Sequence, residues 1–221
     1  MERLEDLNVL DLKIYQDDQL YCFTSDAVLL SKFTRVKKGD VVADFCSGSG
    51  IVGLHLYGLN ADSIKSVTLF EMQKSLFDLS VNSIKFNNLT DKFNPVNCKI
   101  QEISNEYNGK FSLITCNPPY EKEGSGAVND KECIAVCRAE ITLNLSELIK
   151  AVSKALKFGG RFNMVHRADR LADIISEMRK NNIEPKRLQF VSGLNKKPYL
   201  LLIEGVKGGK SGMIIENTLT N

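Results

Sequence analysis

Four consecutive residues carry the most chemistry in this chain: Asn117, Pro118, Pro119 and Tyr120. They follow the apolar run Phe111–Cys116, which reads as a buried strand. In open α/β sheets, ligands bind beyond the carboxyl ends of the strands. Pro118 restricts Asn117 to extended backbone, and both prolines lock their own φ. The carbonyls of this segment therefore have fixed directions. The Asn117 side-chain oxygen and the Pro118 carbonyl can accept two hydrogen bonds from one –NH2 group. Such a group on a base or an amide is a poor nucleophile, because its lone pair is delocalised. Two fixed acceptors favour a pyramidal nitrogen and stabilise the positive charge that develops on it, an oxyanion hole of opposite sign. Tyr120 offers a π-face for a base drawn out of its stack.

A second constellation is Asp44-Phe45-Cys46-Ser47-Gly48-Ser49-Gly50-Ile51-Val52-Gly53. Gly48 and Gly50 allow a tight turn and close approach to a ligand. The spacing Gly48-x-Gly50-x-x-Gly53 formally matches a dinucleotide fingerprint. Asp44 before the turn would repel pyrophosphate. It favours a cationic ligand, such as the sulfonium and α-amino group of S-adenosylmethionine (SAM). A third feature is Val67–Glu71, a strand ending in a carboxylate one strand–helix–strand unit further on. Glu71 is placed to take both ribose hydroxyls of a bound nucleoside.

Alternating strand and helix patterns must position these groups. The expected strands are Val41–Phe45, Val67–Glu71, one near Asn94–Ile100, Phe111–Cys116 and Arg161–His166. An antiparallel pair is expected at Pro185–Val191 and Tyr199–Glu204. The expected helices are Ser25–Thr34, Ile51–Tyr57, about Gln73–Asn87, Ser146–Leu156 and Arg170–Lys180. Leu7–Leu12 and Leu20–Phe23 read as short strands, and Gly212–Ile215 as a short edge strand. Residues 121–132, with Gly124-Ser125-Gly126, read as a loop that orders on a substrate. The domain reading is an N-terminal extension over 1–35 packing on the core, a core domain over 36–206 and a tail over 207–221.

At 221 residues the chain suits one large core. A net charge of +2 leaves any polyanion contact to local basic clusters, not to the overall field. The six cysteines form no CxxC pair and read as buried thiols of a reducing cytosol. No metal site is expected, and His55 and His166 read as packing or surface residues. The N-terminus lacks the apolar core of a signal peptide, and no stretch reaches membrane-span length. The expected location is cytoplasmic. The oligomeric state is open, and a monomer is compatible with the sequence.

With these motifs in order, the chain resembles class I SAM-dependent methyltransferases. More narrowly, it resembles the bacterial tRNA1(Val) (adenine(37)-N6)-methyltransferase family. The resembling segments include 23–30, Phe70-Glu71-Met72-Gln73, the Asn117 tetrad, Arg138-Ala139-Glu140, 156–161 and 183–188. The resemblance implies a Rossmann-like α/β fold: a seven-stranded, mostly parallel sheet with an antiparallel last strand and helices on both faces. It implies SAM as cofactor, with Asp44, Cys46, Gly48 and Gly50 along its methionine portion. Glu71 would hold the ribose, Met72 and Asn117 would also contact the cofactor, and Thr24 and Asp26 would cover the methionine end. Asn117 and Pro118 would hold the adenine amino group, with Tyr120 on the base. Gln101 stands where the family usually has an Asp contacting the cofactor's adenine. The glycine loop has Cys46-Ser47 where Gly-Cys is commoner.

The implied reaction is in-line methyl transfer to adenine N6, with tRNA as partner and no membrane. Candidate phosphate contacts are Lys186, Arg187, Lys196, Lys197, Arg167 and Arg170, with Arg35, Lys37 and Lys38 as a second cluster. Lys196 and Lys197 are expected to share a rim with Tyr120. RNA is favoured over duplex DNA because the chain has no room for a separate target-reading domain, and loop adenines are easy to flip. The alternatives are rRNA guanine N2, DNA adenine N6, a protein glutamine, or a non-catalytic scaffold that binds SAM and RNA.

Overall fold

The computed structural model describes residues 2–20, 25–119 and 143–220. Its centre is one twisted sheet. In spatial order the strands are β5 (Phe93–Asn97), β4 (Ile64–Glu71), β3 (Asp40–Phe45), β6 (Phe111–Cys116), β7 (Leu156–Arg167), β9 (Pro198–Lys207) and β8 (Ile183–Ser192). Every neighbour in this series is parallel except β9, which runs antiparallel to both β7 and β8. These seven strands, with the last one reversed, are the sheet that the resemblance implies. Two short strands of the chain's end, β10 (Ile214–Ile215) and β11 (Leu219–Thr220), then extend the β8 edge.

The central strands are buried on both faces, so they read as continuous apolar runs. One face carries α1 (Ser25–Phe33), α2 (Ile51–Asn60) and α3 (Lys74–Phe86), which enclose Val42, Val67, Leu69, Leu113 and Val165. The other carries α4 (Leu145–Ala155) and α5 (Leu171–Lys180), over Ala43, Phe45, Phe70, Ile114 and Phe162. Helix α4 starts at a reciprocal cap. The Asn144 side chain accepts from Glu147 N, and Glu147 Oε2 accepts from Asn144 N. The helix stops at Ala155. A register shift between Phe111 and Leu113 then accommodates residues 157–160 before β7 pairs regularly.

The N-terminal reading needs correction. Leu7–Leu12 is not a strand but the turn between β1 (Glu2–Asp6) and β2 (Lys13–Asp17). Asn8, Leu10 and Asp11 all have positive φ there, a conformation that no strand contains. The buried Leu7 and Leu12 anchor the turn against α2 and made it look like a strand. The hairpin docks on α3: Tyr15 N donates to Ser83 Oγ at 2.9 Å, and the Asn87 amide joins both backbone groups of Lys13. Leu20 lies in a bend, and residues 21–24 fall outside the described residues. No helix among the described residues is long and apolar enough to cross a membrane.

Candidate active site

The carboxyl ends of β3, β4 and β6 form one mouth. Beyond β3 the chain turns through Cys46, Gly48 and Gly50, whose φ values are 56°, 57° and 93°. The turn is held from below: Ser47 N donates to Phe70 O at 3.0 Å, and Gly50 N to Ser47 O at 2.8 Å. Nothing stands within 4 Å of where a Gly48 side chain would begin. A ligand can therefore lie directly on this backbone. Gln16, reaching from β2, donates its amide to Ser49 Oγ. Sequence reasoning missed that prop, because a lone Gln in a short strand carries no signal.

Asp44 is completely buried. Its Oδ1 accepts from Thr115 Oγ1 at 2.8 Å, and its Oδ2 from Gly53 N at 3.1 Å. Burial raises its carboxyl to about 7, while the Thr115 and Gly53 hydrogen bonds pull the other way. Its work in the fold is to bind the start of α2 and the strand β6 to β3. Thr115 is a second residue the sequence reading did not single out.

Glu71, at the end of β4, is also buried. Its Oε2 accepts from Gly48 N at 2.9 Å and its Oε1 from Gln73 N at 2.8 Å. Burial raises its carboxyl, against those backbone donors. A carboxylate offers about four acceptor positions. With the Met72 backbone also bonding to it, the carboxylate keeps acceptor capacity for a ligand hydroxyl.

The Asn117 segment meets this mouth directly. Phe45 and Cys116 are register partners, so Asn117 and Cys46 follow directly on the ends of adjacent parallel strands. Asn117 is half-buried and Pro118 is buried. Tyr120 and Thr24 lie outside the described residues. Asp26 is buried in the first turn of α1. The half-buried Met72 follows β4, and its carbonyl accepts from Asn97 Nδ2 at 3.1 Å. Gln101 is exposed on a groove of about 240 Å³ that it shares with Glu147, Lys150 and Lys154. Its Nε2 donates to Glu147 Oε2 at 3.1 Å.

The basic residues divide by the end of the sheet they occupy. Lys196 and Lys197, in the β8–β9 turn, are exposed at the mouth end. Arg167 and Arg170 are also at that end, where they pair with Asp169 and Asp173. Lys186 and Arg187 are elsewhere. Arg187 is 5% exposed, stacks on the Phe33 ring at 3.8 Å, and pairs with Glu204 and Glu216. It is a core ion-pair residue and not an exposed phosphate contact. Lys186 donates to the carbonyls of Lys210 and Gly212, tying down the chain's end. Arg35, Lys37 and Lys38 precede β3, so they sit at the opposite end of the sheet from Asn117.

His55 and His166 are both buried packing residues. Burial lowers His166 to about 4, and its Nδ1 accepts from Arg167 N. Cys46, Cys98 and Cys116 are free thiols, and Cys133 and Cys137 lie outside the described residues. The described residues hold no cluster of three or more His, Cys, Asp or Glu that could bind a metal.

These residues fit a nucleoside cofactor. The glycine turn is open to a ligand, Glu71 has capacity for a ribose, and the buried Ser47 Oγ in the same turn has no partner among the described residues. Sheet order and mouth together define a class I methyltransferase fold. A predicted O-methyltransferase from Agrobacterium tumefaciens superposes with a TM-score of 0.68 at 16% identity, over 88% of this chain and 86% of that one. A geranyl diphosphate C-methyltransferase from Streptomyces coelicolor, solved with S-adenosyl-L-homocysteine, superposes with a TM-score of 0.60 at 11% identity, over 83% and 77% of the two chains. The methyltransferase small domain family matches residues 23–182, and the chain belongs to it. It is a SAM-dependent methyltransferase. Among its relatives is a protein from Shewanella woodyi named tRNA1(Val) (adenine(37)-N6)-methyltransferase, 24% identical over 173 residues, which are 76% of this chain and 69% of that protein.

Proposed function

We propose that this enzyme methylates the exocyclic N6 of an adenine in tRNA, with adenine 37 of tRNA1(Val) the leading candidate. The observation that carries the reading is the register of Phe45 with Cys116, which sets Asn117 and Pro118 against the cofactor turn. An amino group held there lies next to the donor methyl. The relatives' name supplies the substrate.

SAM supplies an activated methyl group. The chain's own residues supply alignment and charge placement. Asn117 Oδ1 and the Pro118 carbonyl accept the two amino hydrogens, favour a pyramidal nitrogen with an available lone pair, and stabilise the positive charge that develops on it as it gains the methyl group. Tyr120 stacks on the flipped base. The methylated nitrogen is strongly acidic and loses its proton to water, so no strong base is required. Glu71 holds the ribose, Met72 and Gln101 flank the nucleoside, and Thr24 and Asp26 close the methionine end. Lys196 and Lys197, with Arg167 and Arg170, take the RNA backbone at the mouth.

The decisive experiment is incubation with small RNA and labelled SAM, then nucleoside mass spectrometry. N6-methyladenosine in tRNA is expected; methyl-guanosine, or no methylated nucleoside in the RNA, overturns the substrate. Asn117→Ala is expected to abolish transfer while calorimetric SAM affinity stays near wild type, and unchanged turnover would remove the residue from its role.

A further inference from the structure

The turn joining β8 to β9 is more than a pair of lysines. Lys196 N donates to Gly193 O at 3.0 Å, closing a four-residue turn. Asn195, its third residue, has φ 55°, as a type II turn requires. This geometry sets Leu194 at the apex, where it is 76% exposed. The Lys196 stem folds over Gly193, where a side chain would meet Lys196 Cδ at 3.1 Å. The tip is thus a defined structure, not a slack loop.

At the base of the turn the ladder slips. Val191 pairs with Leu200, but Ser192 pairs with Pro198, which leaves Tyr199 as an extra, bulged residue. Bulges redirect side chains and occur beside active sites. Tyr199 is 46% exposed, between Leu200 and the lysines. Residues 193–199 contain two lysines and no acid, and among the described residues neither lysine makes an ion pair. An exposed aromatic ring, an apolar apex and two cations thus share the mouth end of the sheet. From β6, β9 is two strand spacings away and β8 three, so the turn stands about 10–14 Å from Asn117.

We infer that this turn grips the single-stranded RNA flanking the target adenine: Tyr199 stacks on a neighbouring base, Leu194 wedges against its return to the stack, and the lysines hold the intervening phosphates. An aromatic platform with adjacent cations is the chemistry by which single strands are held. The inference rests on the RNA reading above and deepens it.

The probe is a short RNA loop with 2-aminopurine beside the target adenine. Wild type and Tyr199→Phe are expected to bind it and to change its fluorescence equally. Tyr199→Leu is expected to bind about 5- to 100-fold more weakly and to lose the change, with SAM affinity unaltered. Leu194→Ser, fully tolerable to the fold because the side chain is in water, is expected to weaken binding at least threefold. RNA affinity unchanged in both Tyr199→Leu and Leu194→Ser overturns the inference, as does a wild type that does not bind the loop. If the variants weaken RNA binding but nucleoside analysis shows no N6-methyladenosine, the turn's role stands and the choice of methylated atom falls.

Discussion

Thr115 Oγ1 donates to Asp44 Oδ1 at 2.8 Å, and both groups are completely buried. The bond joins the strand that leads into the cofactor turn to the strand that leads into the Asn117 segment. The two halves of the site are therefore fixed to each other beneath the mouth. Thr115→Val keeps the shape and removes the donor. Leaving a buried carboxyl oxygen unpaired costs about 1–3 kcal/mol. Thr115→Val is expected to lose that much in urea unfolding and to weaken SAM binding by calorimetry; a variant with wild-type values on both would mean the strands are aligned by packing alone.

Asp44 also makes stability depend on pH. Its folded carboxyl titrates at about 7, above the ordinary value of 3.8, so the folded chain binds this proton more tightly than the unfolded chain. Its contribution is fully favourable below about 4, declines as pH rises towards 7, and is level above that. Glu71 is shifted in the same direction. Asp44→Asn removes the titration, and the amide fits: its oxygen accepts from Gly53 N while its NH2 donates to the Thr115 hydroxyl. Relative to wild type, the variant is expected to gain of order 3 kcal/mol between pH 5 and pH 8. Parallel unfolding curves at the two pH values would refute the raised carboxyl.

Glu71→Gln tests the ribose contact. The carboxylate accepts from both Gly48 N and Gln73 N. An amide cannot replace it, since its NH2 must face one of those donors. SAM affinity is expected to fall about 10- to 100-fold, for the loss of charge-assisted bonds and the disturbed turn. Titration calorimetry giving the wild-type dissociation constant would move the ribose elsewhere.

Arg187, expected among the RNA contacts, is a stability residue in the structure. Its guanidinium joins Glu204 of β9, Glu216 of the chain's end and the Phe33 carbonyl of α1. Arg187→Met retains the apolar stem but leaves Glu204 without its cation. Removing one member of a buried ion pair costs about 3–5 kcal/mol. The expected result is a lower unfolding midpoint with an unchanged salt slope of RNA binding for the folded fraction. A normal midpoint with a flattened slope would restore Arg187 to the interface.

The parts legible in the sequence were those where one local rule decides. Phe111–Cys116 has the predicted bounds because a strand buried on both faces must be apolar throughout and must end at the prolines. The glycine turn and Glu71 were legible because few residue types tolerate that backbone or end a strand in that way. Arg187 was misplaced because a Lys-Arg pair suggests a phosphate contact whichever way its side chains face. The period of two in β8 already buries Ile183, Pro185 and Arg187 together. Thr115 and Gln16 were invisible because their partners are remote in sequence. Leu7–Leu12 failed because buried leucines anchor a turn as well as they fill a strand.

The basic residues at the two ends of the sheet give a comparison within one molecule. Lys196 and Lys197 stand exposed at the mouth end, while Lys186 is spent on the carbonyls of Lys210 and Gly212. Each lysine that neutralises a phosphate releases a condensed counterion, worth about 0.7 in the salt slope for a single strand. Lys196→Ala with Lys197→Ala is therefore expected to lower the slope of log affinity against log salt by about 1.4. Lys186→Ala is expected to leave the slope unchanged and to loosen the chain's end, seen as faster amide exchange in residues 210–216. Fluorescence anisotropy over a range of KCl concentrations separates the two. Equal slopes for wild type and the double variant would place the RNA on another face of the mouth.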